Sequence, residues 1–358
     1  MATSDSYLTP QQLSSVVYGA HEYWVNRKKS PHRQDKSNRP FGKWITGKRK
    51  TRPFIGGRFH YNTQSEGEGD LQEAYGRERL TFTEEFGGDE MVYDGVKVWN
   101  GLEILHDELR DLGHIVKNAS SWTRVPKLSD AVKEELVNIL QEKFDRREDR
   151  INQLYDSYLH RNGTGTVSIA GLDSLFPLVN TAGSIGGVSR LANPEYRHVV
   201  TGALTVASGG TLRAGLDDAL RQANQYAVTG QVDVAFCGSA FLNGVKAYVE
   251  ANNLNINSNV GGIGMIDPSI PDSALKWNGI SLVWDPTLDI LGTQLGDASL
   301  AKRAYFLNSS TIELATDMWM DFSRPNDEFD LMVSRFGWMS RMAMWTTQPN
   351  ANMVARVV

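Results

Sequence analysis

Between Ser129 or Asp130 and the pair Asn162-Gly163 the chain carries one unbroken helical pattern. Val132, Leu136, Ile139, Leu140, Phe144, Ile151, Leu154, Tyr155 and Tyr158 fall on one stripe at helical spacing, and the opposite face is charged throughout. Ser129 and Asp130 are both N-cap types, and Asn-Gly is a stop signal. At 1.5 Å per residue such a helix is roughly 50 Å long, more than the diameter of a small domain. The stripe keeps no strict heptad, which argues against a coiled-coil arm. A helix of this length overhangs any single domain, so part of its apolar face must find partners elsewhere.

A chain of 358 residues corresponds to about two domains of roughly 150 residues each. No apolar run approaches a membrane span, so no transmembrane helix is expected. The start, MATSDSYLTPQQ, has neither a basic segment nor an apolar stretch before a cleavage site and does not read as a secretory signal. The expected compartment is therefore a cytoplasm. The single cysteine, Cys237, excludes a disulfide framework and a zinc cluster, and it is expected as a small buried apolar residue. A net charge of -5 argues against a surface devoted to nucleic acid, which needs many Lys and Arg to neutralise phosphates.

Charge is nonetheless unevenly placed. Residues 27–52 carry Lys28, Lys29, Arg33, Lys36, Arg39, Lys43, Lys48, Arg49 and Lys50 between their terminal arginines, against the lone acid Asp35. Such a stretch repels itself and has little apolar surface, so in isolation it is expected as an extended arm, either solvated or docked. From about residue 54 to 98 the pattern alternates, as in Arg58-Phe59-His60-Tyr61, Leu80-Thr81-Phe82 and Met91-Val92-Tyr93, with the Gly- and acid-rich tracts SEGEGD and EEFGGDE between. Period-two alternation predicts a long β-hairpin, and a hairpin alone is marginal in water, so this one needs a surface to lie on. Beyond Val167, TLRAGLDDALRQANQYAV and GSAFLNGVKAYVEANN predict amphipathic helices. QVDVAFCG, GISLVWD and RAYFLNS predict short buried strands, and EFDLMVSRFGWMSRMAMWTTQP and NMVARVV return to β character. The fold class expected is mixed, α+β or α/β, with no internal repeat.

Catalytic signals are weak. Four residues separate Gly42 from Gly47-Lys48, as in a phosphate-binding loop, but Arg49 stands where Ser or Thr would bind magnesium, and no strand-loop-helix context surrounds it. Gly183-Ser184-Ile185-Gly186-Gly187 and Gly261-Gly262-Ile263-Gly264 lack the full GxGxxG spacing and read as turns. His21, His32, His60, His106, His114, His160 and His198 show no metal-ligand spacing, and each reads as an ordinary surface or packing residue. Glu84-Glu85 and Asp89-Glu90 flank glycine in a loop, where nothing would desolvate one partner to set up an acid and a base. No GxSxG elbow occurs. The chain is read as a non-enzyme without cofactor or metal. An enzyme of unknown α/β type would need a deep pocket with convergent polar groups, for which the sequence gives no sign.

The order of parts and several segments resemble the major capsid proteins of tailed bacteriophages, the Hong Kong 97-like fold. Asn162-Gly163-Thr164-Gly165 resembles the turn that ends the long helix in that family, and Ile169-Ala170-Gly171-Leu172-Asp173-Ser174-Leu175 its GLxxL segment. GGVSRLANPEYRH at 186–198 is similar to its GGIxR segment, with Val188 for Ile and Tyr196-Arg197 where Trp-Arg is common. RAYFLNSSTIEL at 303–314 resembles YFLNT, and FGWMSRMAMWTTQPNANMV at 336–354 resembles the closing strands. The resemblance runs in order over about residues 90–355; the basic segment matches in composition only.

What the resemblance implies is an N-terminal arm at 1–52, an E-loop hairpin at 53–112, a peripheral domain with a long spine helix at 113–165, an axial domain at 166–319 and closing peripheral strands at 320–358. It implies a shell subunit that assembles with itself through pentamers and hexamers in the host cytoplasm and resides in the virion. Portal, scaffold and decoration proteins are partners it allows, packaged double-stranded DNA would be touched weakly and nonspecifically, and no membrane is involved. Numbering from Met1 suggests that no N-terminal scaffold segment is removed. An encapsulin-like compartment shell is the alternative. Phe59, Tyr61, Phe82, Met91 and Tyr93 are candidate contacts between subunits, contributing several kcal/mol per contact at roughly 25 cal/mol per Å² of apolar surface. Lys48, Arg49 and Lys50 are candidates for clamping acidic patches of neighbours, with DNA phosphate as the other target.

Overall fold

A computed structural model of the chain describes residues 39–63, 89–105, 130–164, 168–207, 209–251, 276–328 and 333–358. Its helices are α1 (Pro40–Gly47), α2 (Asp130–His160), α3 (Leu172–Leu175), α4 (Leu212–Gln225), α5 (Ser239–Ala251) and α6 (Pro286–Leu295). The strands named below are β1 (Arg49–Thr51), β2 (Arg58–Asn62), β3 (Glu90–Asp94), β4 (Val96–Leu105), β5 (Ser184–Ile185), β6 (Val188–Ser189), β7 (Val199–Leu204), β8 (Val234–Cys237), β9 (Lys276–Trp277), β10 (Ile280–Trp284), β11 (Arg303–Leu307), β12 (Ile312–Glu328), β13 (Val333–Thr346) and β14 (Met353–Val357). The chain divides into two compact units: Lys97–Tyr155 with Met318–Arg341 in one, and Ser37–Val96, Asp156–Asp317 and Met342–Val358 in the other.

The larger unit is built on a six-stranded sheet in the order β7-β14-β11-β8-β10-β9. β10 runs parallel to β8 and β14 parallel to β7, while β11 is antiparallel to both β8 and β14. In register, Tyr305 lies opposite Phe236 and Val354, and Ala304 opposite Cys237 and Ala355. Because side chains alternate along a strand, Ala235, Cys237, Ala304, Phe306, Met353 and Ala355 fall on one face. They share a buried core with Leu212, Leu216, Leu220 and Ala223 of α4 and Phe241, Leu242 and Val245 of α5. The residues between them belong to the other face, where Phe236 meets Phe41 and Trp44 of α1 at ring-centroid distances of 5.2 and 5.4 Å. Strands as short and apolar as VAFC and RAYFL persist because both of their faces are covered. Cys237 is fully buried, as expected of a small apolar residue here.

Two local features depart from the sequence expectation. The basic stretch is helical, not extended, over Pro40–Gly47: Pro40 opens α1, where Pro is tolerated because the first helical N–H has no partner. Phe41 and Ile45 at i and i+4 are fully buried, so these few apolar residues outweigh the helix's basic surroundings. The four residues between Gly42 and Gly47 are therefore helical, which removes any phosphate-loop geometry. The second departure is α6, which the sequence reading passed over. Asp285 caps it by accepting from Thr287 N at 3.0 Å, Pro286 stands at its start, and Gly296 closes it in the left-handed conformation.

In the other unit, α2 runs unbroken for 31 residues, about 46 Å at the standard rise. Phe144 packs edge-on to Trp338 of β13 at 5.8 Å, and Tyr155 stacks near Trp319 of β12 at 5.5 Å while its hydroxyl donates to Ser340 Oγ at 2.9 Å. Arg147 donates to the carbonyl of Gly101 in β4. These contacts lay the helix across strands of a second sheet, ordered β1-β12-β13-β4. Of the apolar stripe, Phe144, Ile151 and Tyr155 are buried; the side chains from Val132 to Leu140 lie outside the described residues.

The helix stops at His160, and the GLxxL-like segment packs against its end. Gly171 N donates to the carbonyl of Arg161 at 3.0 Å. A Cβ at Gly171 would collide with the backbone carbonyls of Leu159 and Arg161, atoms that no rotamer change can move away. Gly171→Ala is therefore expected to cost about 3 kcal/mol of unfolding free energy, read from the urea midpoint of the purified protein.

Candidate assembly elements: the hairpin stem and the basic segment

β2 and β3 pair antiparallel, with Phe59 opposite Tyr93, Tyr61 opposite Met91, Arg58 opposite Asp94 and Asn62 opposite Glu90. The alternation read in the sequence thus forms the stem of a hairpin; Leu80-Thr81-Phe82 lies outside the described residues. One face of the stem is polar, with exposed pairs Arg58–Asp94 at 3.0 Å and His60–Glu90 at 2.7 Å, of the exposed kind that adds little stability. The other face is aromatic and closes on Trp345, whose ring centroid lies 4.8 Å from Phe59, 4.7 Å from Tyr61 and 6.4 Å from Tyr93. Phe59, Met91 and Tyr93 are 6%, 0% and 5% exposed. The apolar surface assigned from sequence to a neighbouring subunit is, for these three, already covered by their own chain. Tyr61 is half-buried and keeps surface to offer.

The GGVSR segment supplies the seat of this stem. Val92 N donates to the Gly186 carbonyl at 2.8 Å, and Thr63 Oγ1 is hydrogen-bonded to Tyr196 Oη at 2.7 Å. Gly186 has φ +54°, and a Cβ there would stand 2.7 Å from Met91 Cβ, so both backbone conformation and closeness exclude a side chain. Arg190, 2% exposed, donates to the carbonyls of Ala182, Ser174 and Leu175 at 3.0, 2.8 and 2.8 Å and braces the loop from within. His198 donates through Nε2 to the Pro177 carbonyl; burial, with the Arg190 charge adding to it, pushes its pKa down to about 3.

The basic segment docks in three ways. α1 buries Phe41 and Ile45, and β1 pairs in parallel with β12, Arg49 opposite Leu314 and Thr51 opposite Thr316. Lys48 lies over the Trp44 ring and donates to the Ser309 carbonyl at 2.9 Å. Lys50 and Arg52 share the carboxylate of Glu313, Arg52 at 3.1 Å, and the Arg52 guanidinium stands 6.0 Å from the Trp345 ring. The structure thus brings the basic candidates and the hairpin stem to opposite ends of one short connection, residues 53–57.

Under α1 lies a buried charge cluster with no sequence forecast. His160 Nε2 donates to Asp285 Oδ2 at 2.8 Å and Nδ1 to the Asp156 carbonyl at 2.7 Å, with Asp156 Oδ1 3.7 Å away. Both ring nitrogens face acceptors, the geometry of an imidazolium. Burial alone would lower the His160 pKa, but the Asp285 and Asp156 carboxylates carry it up to about 9. Burial pushes the Asp156 carboxyl up, opposed by His160, by the Thr287 hydroxyl at 2.5 Å and by Arg39. Phe41 sits edge-on to His160 at 4.7 Å and closes the cluster. The i, i+4 spacing of Asp156 and His160 at the end of a buried stripe was the available signal. Among the described residues no group of three or more His, Cys, Asp or Glu could hold a metal, and no helix is long and apolar enough to cross a membrane.

No protein-family model matches the chain, and no curated protein sequence does. Comparison in three dimensions is more informative. The Cyanophage A-1(L) capsid asymmetric unit matches with TM-score 0.55 and 14% identity over 93% of this chain and 97% of that one. The capsid of Myoviridae phage XM1 matches with TM-score 0.53 and 12% identity over 93% and 96%. Gordonia phage Cozz matches with TM-score 0.51 and 12% identity over 96% and 94%. The fold is that of phage capsid proteins, the mixed α+β class expected from the long helix and the GGVSR, YFLN and closing-strand segments.

The two buried histidines make opposite contributions to stability. His160 has a folded pKa of about 9 against 6.5 for a free imidazole, so its contribution is complete below about pH 6.5 and is lost as pH rises through 9. His198, at about 3, contributes above pH 6.5 and loses that contribution as pH falls. Unfolding of the purified protein in urea is expected to show the alkaline decline between pH 7 and 9. His160→Gln should flatten that limb and cost about 3 kcal/mol at pH 7 by leaving two buried carboxylates without their cation. An unchanged alkaline slope in the variant would refute the assignment.

Proposed function

We propose that this chain is the major capsid protein of a tailed double-stranded DNA bacteriophage, assembling with copies of itself through pentamers and hexamers into an icosahedral shell around the genome. The observation that carries the reading is the capsid match across nearly the whole of both chains, 93% of this one and 97% of the Cyanophage A-1(L) subunit. A fold alone does not fix a function, but here the likeness extends over the full order of parts rather than one reusable domain. Self-association follows as heterologous contact, one patch against a different patch of the next copy, which closes into rings when the rotation closes. The partition into an arm at 1–52, a hairpin at 53–112, peripheral segments at 113–165 and 320–358 and an axial domain at 166–319 belongs to this proposal. So do host-cytoplasm assembly, portal, scaffold and decoration partners, and weak nonspecific contact with packaged DNA.

Among the eight candidate contacts, Lys48, Arg49, Lys50, Tyr61 and Phe82 are assigned to the surfaces between copies. Phe59, Met91 and Tyr93 act one step back, holding the hairpin stem on Trp345 so that its direction is set before another copy is met. The encapsulin-like alternative is not favoured by the capsid matches.

Purified full-length protein is expected to form closed shells under negative-stain microscopy, and a species that stays monomeric at high concentration would overturn the reading. Particles from infected cells should contain double-stranded DNA; an enclosed protein cargo would favour the encapsulin-like shell. Trp345→Ala, by removing the ring under the stem, should destabilise the subunit by about 3 to 5 kcal/mol and reduce shell yield in the same microscopy assay.

A further inference from the structure

We propose that Asn162-Gly163, just past the end of α2, is a self-modification site: the Gly163 nitrogen cyclises onto the Asn162 amide, and the product loosens the seat of the segment that follows the helix. The inference rests on local geometry and is independent of the capsid reading.

An Asn-Gly pair can close on itself. The backbone nitrogen of the glycine attacks the asparagine Cγ, giving up its proton as the new C–N bond forms. The tetrahedral oxyanion then collapses, the Cγ–Nδ2 bond breaks and ammonia leaves. Water opens the resulting succinimide at one carbonyl or the other, leaving an aspartyl or an isoaspartyl residue. No oxidant, metal or second protein is needed. What decides the rate is whether the fold presents the two atoms to each other and steadies the oxyanion.

The sequence holds four such pairs, at 100–101, 162–163, 243–244 and 278–279, and the fold treats them differently. Asn100 and Gly101 lie within β4, where strand pairing fixes an extended backbone. Asn243 and Gly244 lie inside α5, where the Gly244 N–H is committed to the carbonyl one turn back. Asn278 stands in the β9–β10 turn at φ +47°, and its Nδ2, the nitrogen that must leave, donates to Asp217 Oδ1 at 2.8 Å. At Asn162 the polarity is reversed. This exposed amide accepts through Oδ1 from the Thr164 N–H at 3.1 Å and from Thr164 Oγ1 at 2.5 Å. A side chain bonded to the backbone two residues on folds back over the intervening peptide, which brings Cγ toward Gly163 N. The two donors already on Oδ1 are those that a developing oxyanion needs. Gly163, at φ +82° and without a side chain, leaves the approach to its nitrogen unscreened.

The site lies between two contacts that tie the helix end to the following segment. On one side Gly171 N donates to the Arg161 carbonyl at 3.0 Å. On the other, Gly163 is packed so closely that a Cβ there would stand 3.5 Å from the Ile169 carbonyl oxygen. Ring opening leaves a carboxylate at the negative end of the α2 dipole, where an anion is unfavourable. The isoaspartyl form also adds a methylene to the backbone between the two contacts.

Purified full-length protein held in mildly alkaline buffer, sampled over time and digested, tests this by mass spectrometry of the four Asn-Gly peptides. In the native protein position 162 should convert about tenfold or more faster than the other three, and Thr164→Val should slow it about tenfold, the factor that one hydrogen bond formed in the transition state supplies. Thr164→Ser, which keeps the hydroxyl, should convert as wild type does. In concentrated urea, where the fold no longer sorts the sites, the four rates should converge and the effect of Thr164→Val should vanish. Equal native rates at the four sites, faster conversion at Asn278, or undiminished conversion in Thr164→Val would each overturn the proposal. Aged protein should also unfold at a lower urea concentration than fresh protein, and aged Asn162→Gln should not, because its longer side chain closes a larger ring far more slowly. An unchanged midpoint in fully converted protein would overturn the loosening.

Discussion

In β11 all five side chains are buried and successive residues point to opposite sides, so each neighbour of that strand is assigned to one layer or the other. Ala304 and Phe306 face the core closed by α4 and α5. Arg303 and Tyr305 belong to the other side, where the guanidinium meets Asp173 at 2.6 Å and Asp297 at 2.9 Å. Burying an arginine is costly unless carboxylates offset its charge, and the two terminal nitrogens of Arg303 tie α3 and the turn before β11 to the strand through Asp173 and Asp297. The same side of the sheet presents Phe236 to α1. The basic segment thus rests, through Phe41 and Trp44, on the sheet face that Arg303 and Tyr305 share.

Most of the regular structure was legible because its signals are local. The stripe of α2, the amphipathic pattern of α4 and α5, and the apolar runs of β8, β10 and β11 were each read to within a few residues. Helix α6 was missed although Asp285-Pro286 and Gly296 are ordinary start and stop residues, because Thr287, Leu288, Leu291 and Gly292 are buried and the segment lacks a polar face against which a helical period could stand out. The basic stretch misled for the opposite reason. Eleven cations dominate its composition, while Phe41 and Ile45, which decide its structure by burial, are two residues among twenty-six.

Of the hairpin stem, the apolar face was legible in the sequence and its cover was not. Alternation in residues 58–61 and 91–93 identified an apolar face without saying what would cover it, and Trp345, some 250 residues away in sequence, was the answer. The resemblance segments carried more than they explained. The fold now gives them physical content: a backbone that admits no Cβ at Gly171 and Gly186, a guanidinium at Arg190 that ties three carbonyls together, and an amide at Asn352 that accepts from Asn308 N and donates to Thr311 and Gln348. These are close-approach and hydrogen-bond requirements, which fix the residue at a few positions and leave most others open, in keeping with an overall identity to matched capsid chains of only 12 to 14%.

His160, Asp156 and Asp285 also bear on how such a sequence can drift. A buried cation flanked by two carboxylates has no conservative neighbour: losing the imidazole strands two acids, and losing either acid strands the cation. Replacing the whole set by apolar groups of similar volume is, by contrast, often neutral or better. Single substitutions at these positions therefore lead downhill in stability, while the triple exchange leads to level ground that no one-step path reaches. Lineages descended from a common ancestor of this chain should retain the three residues together or lack all three, making this cluster an inherited character more durable than the surrounding apolar core.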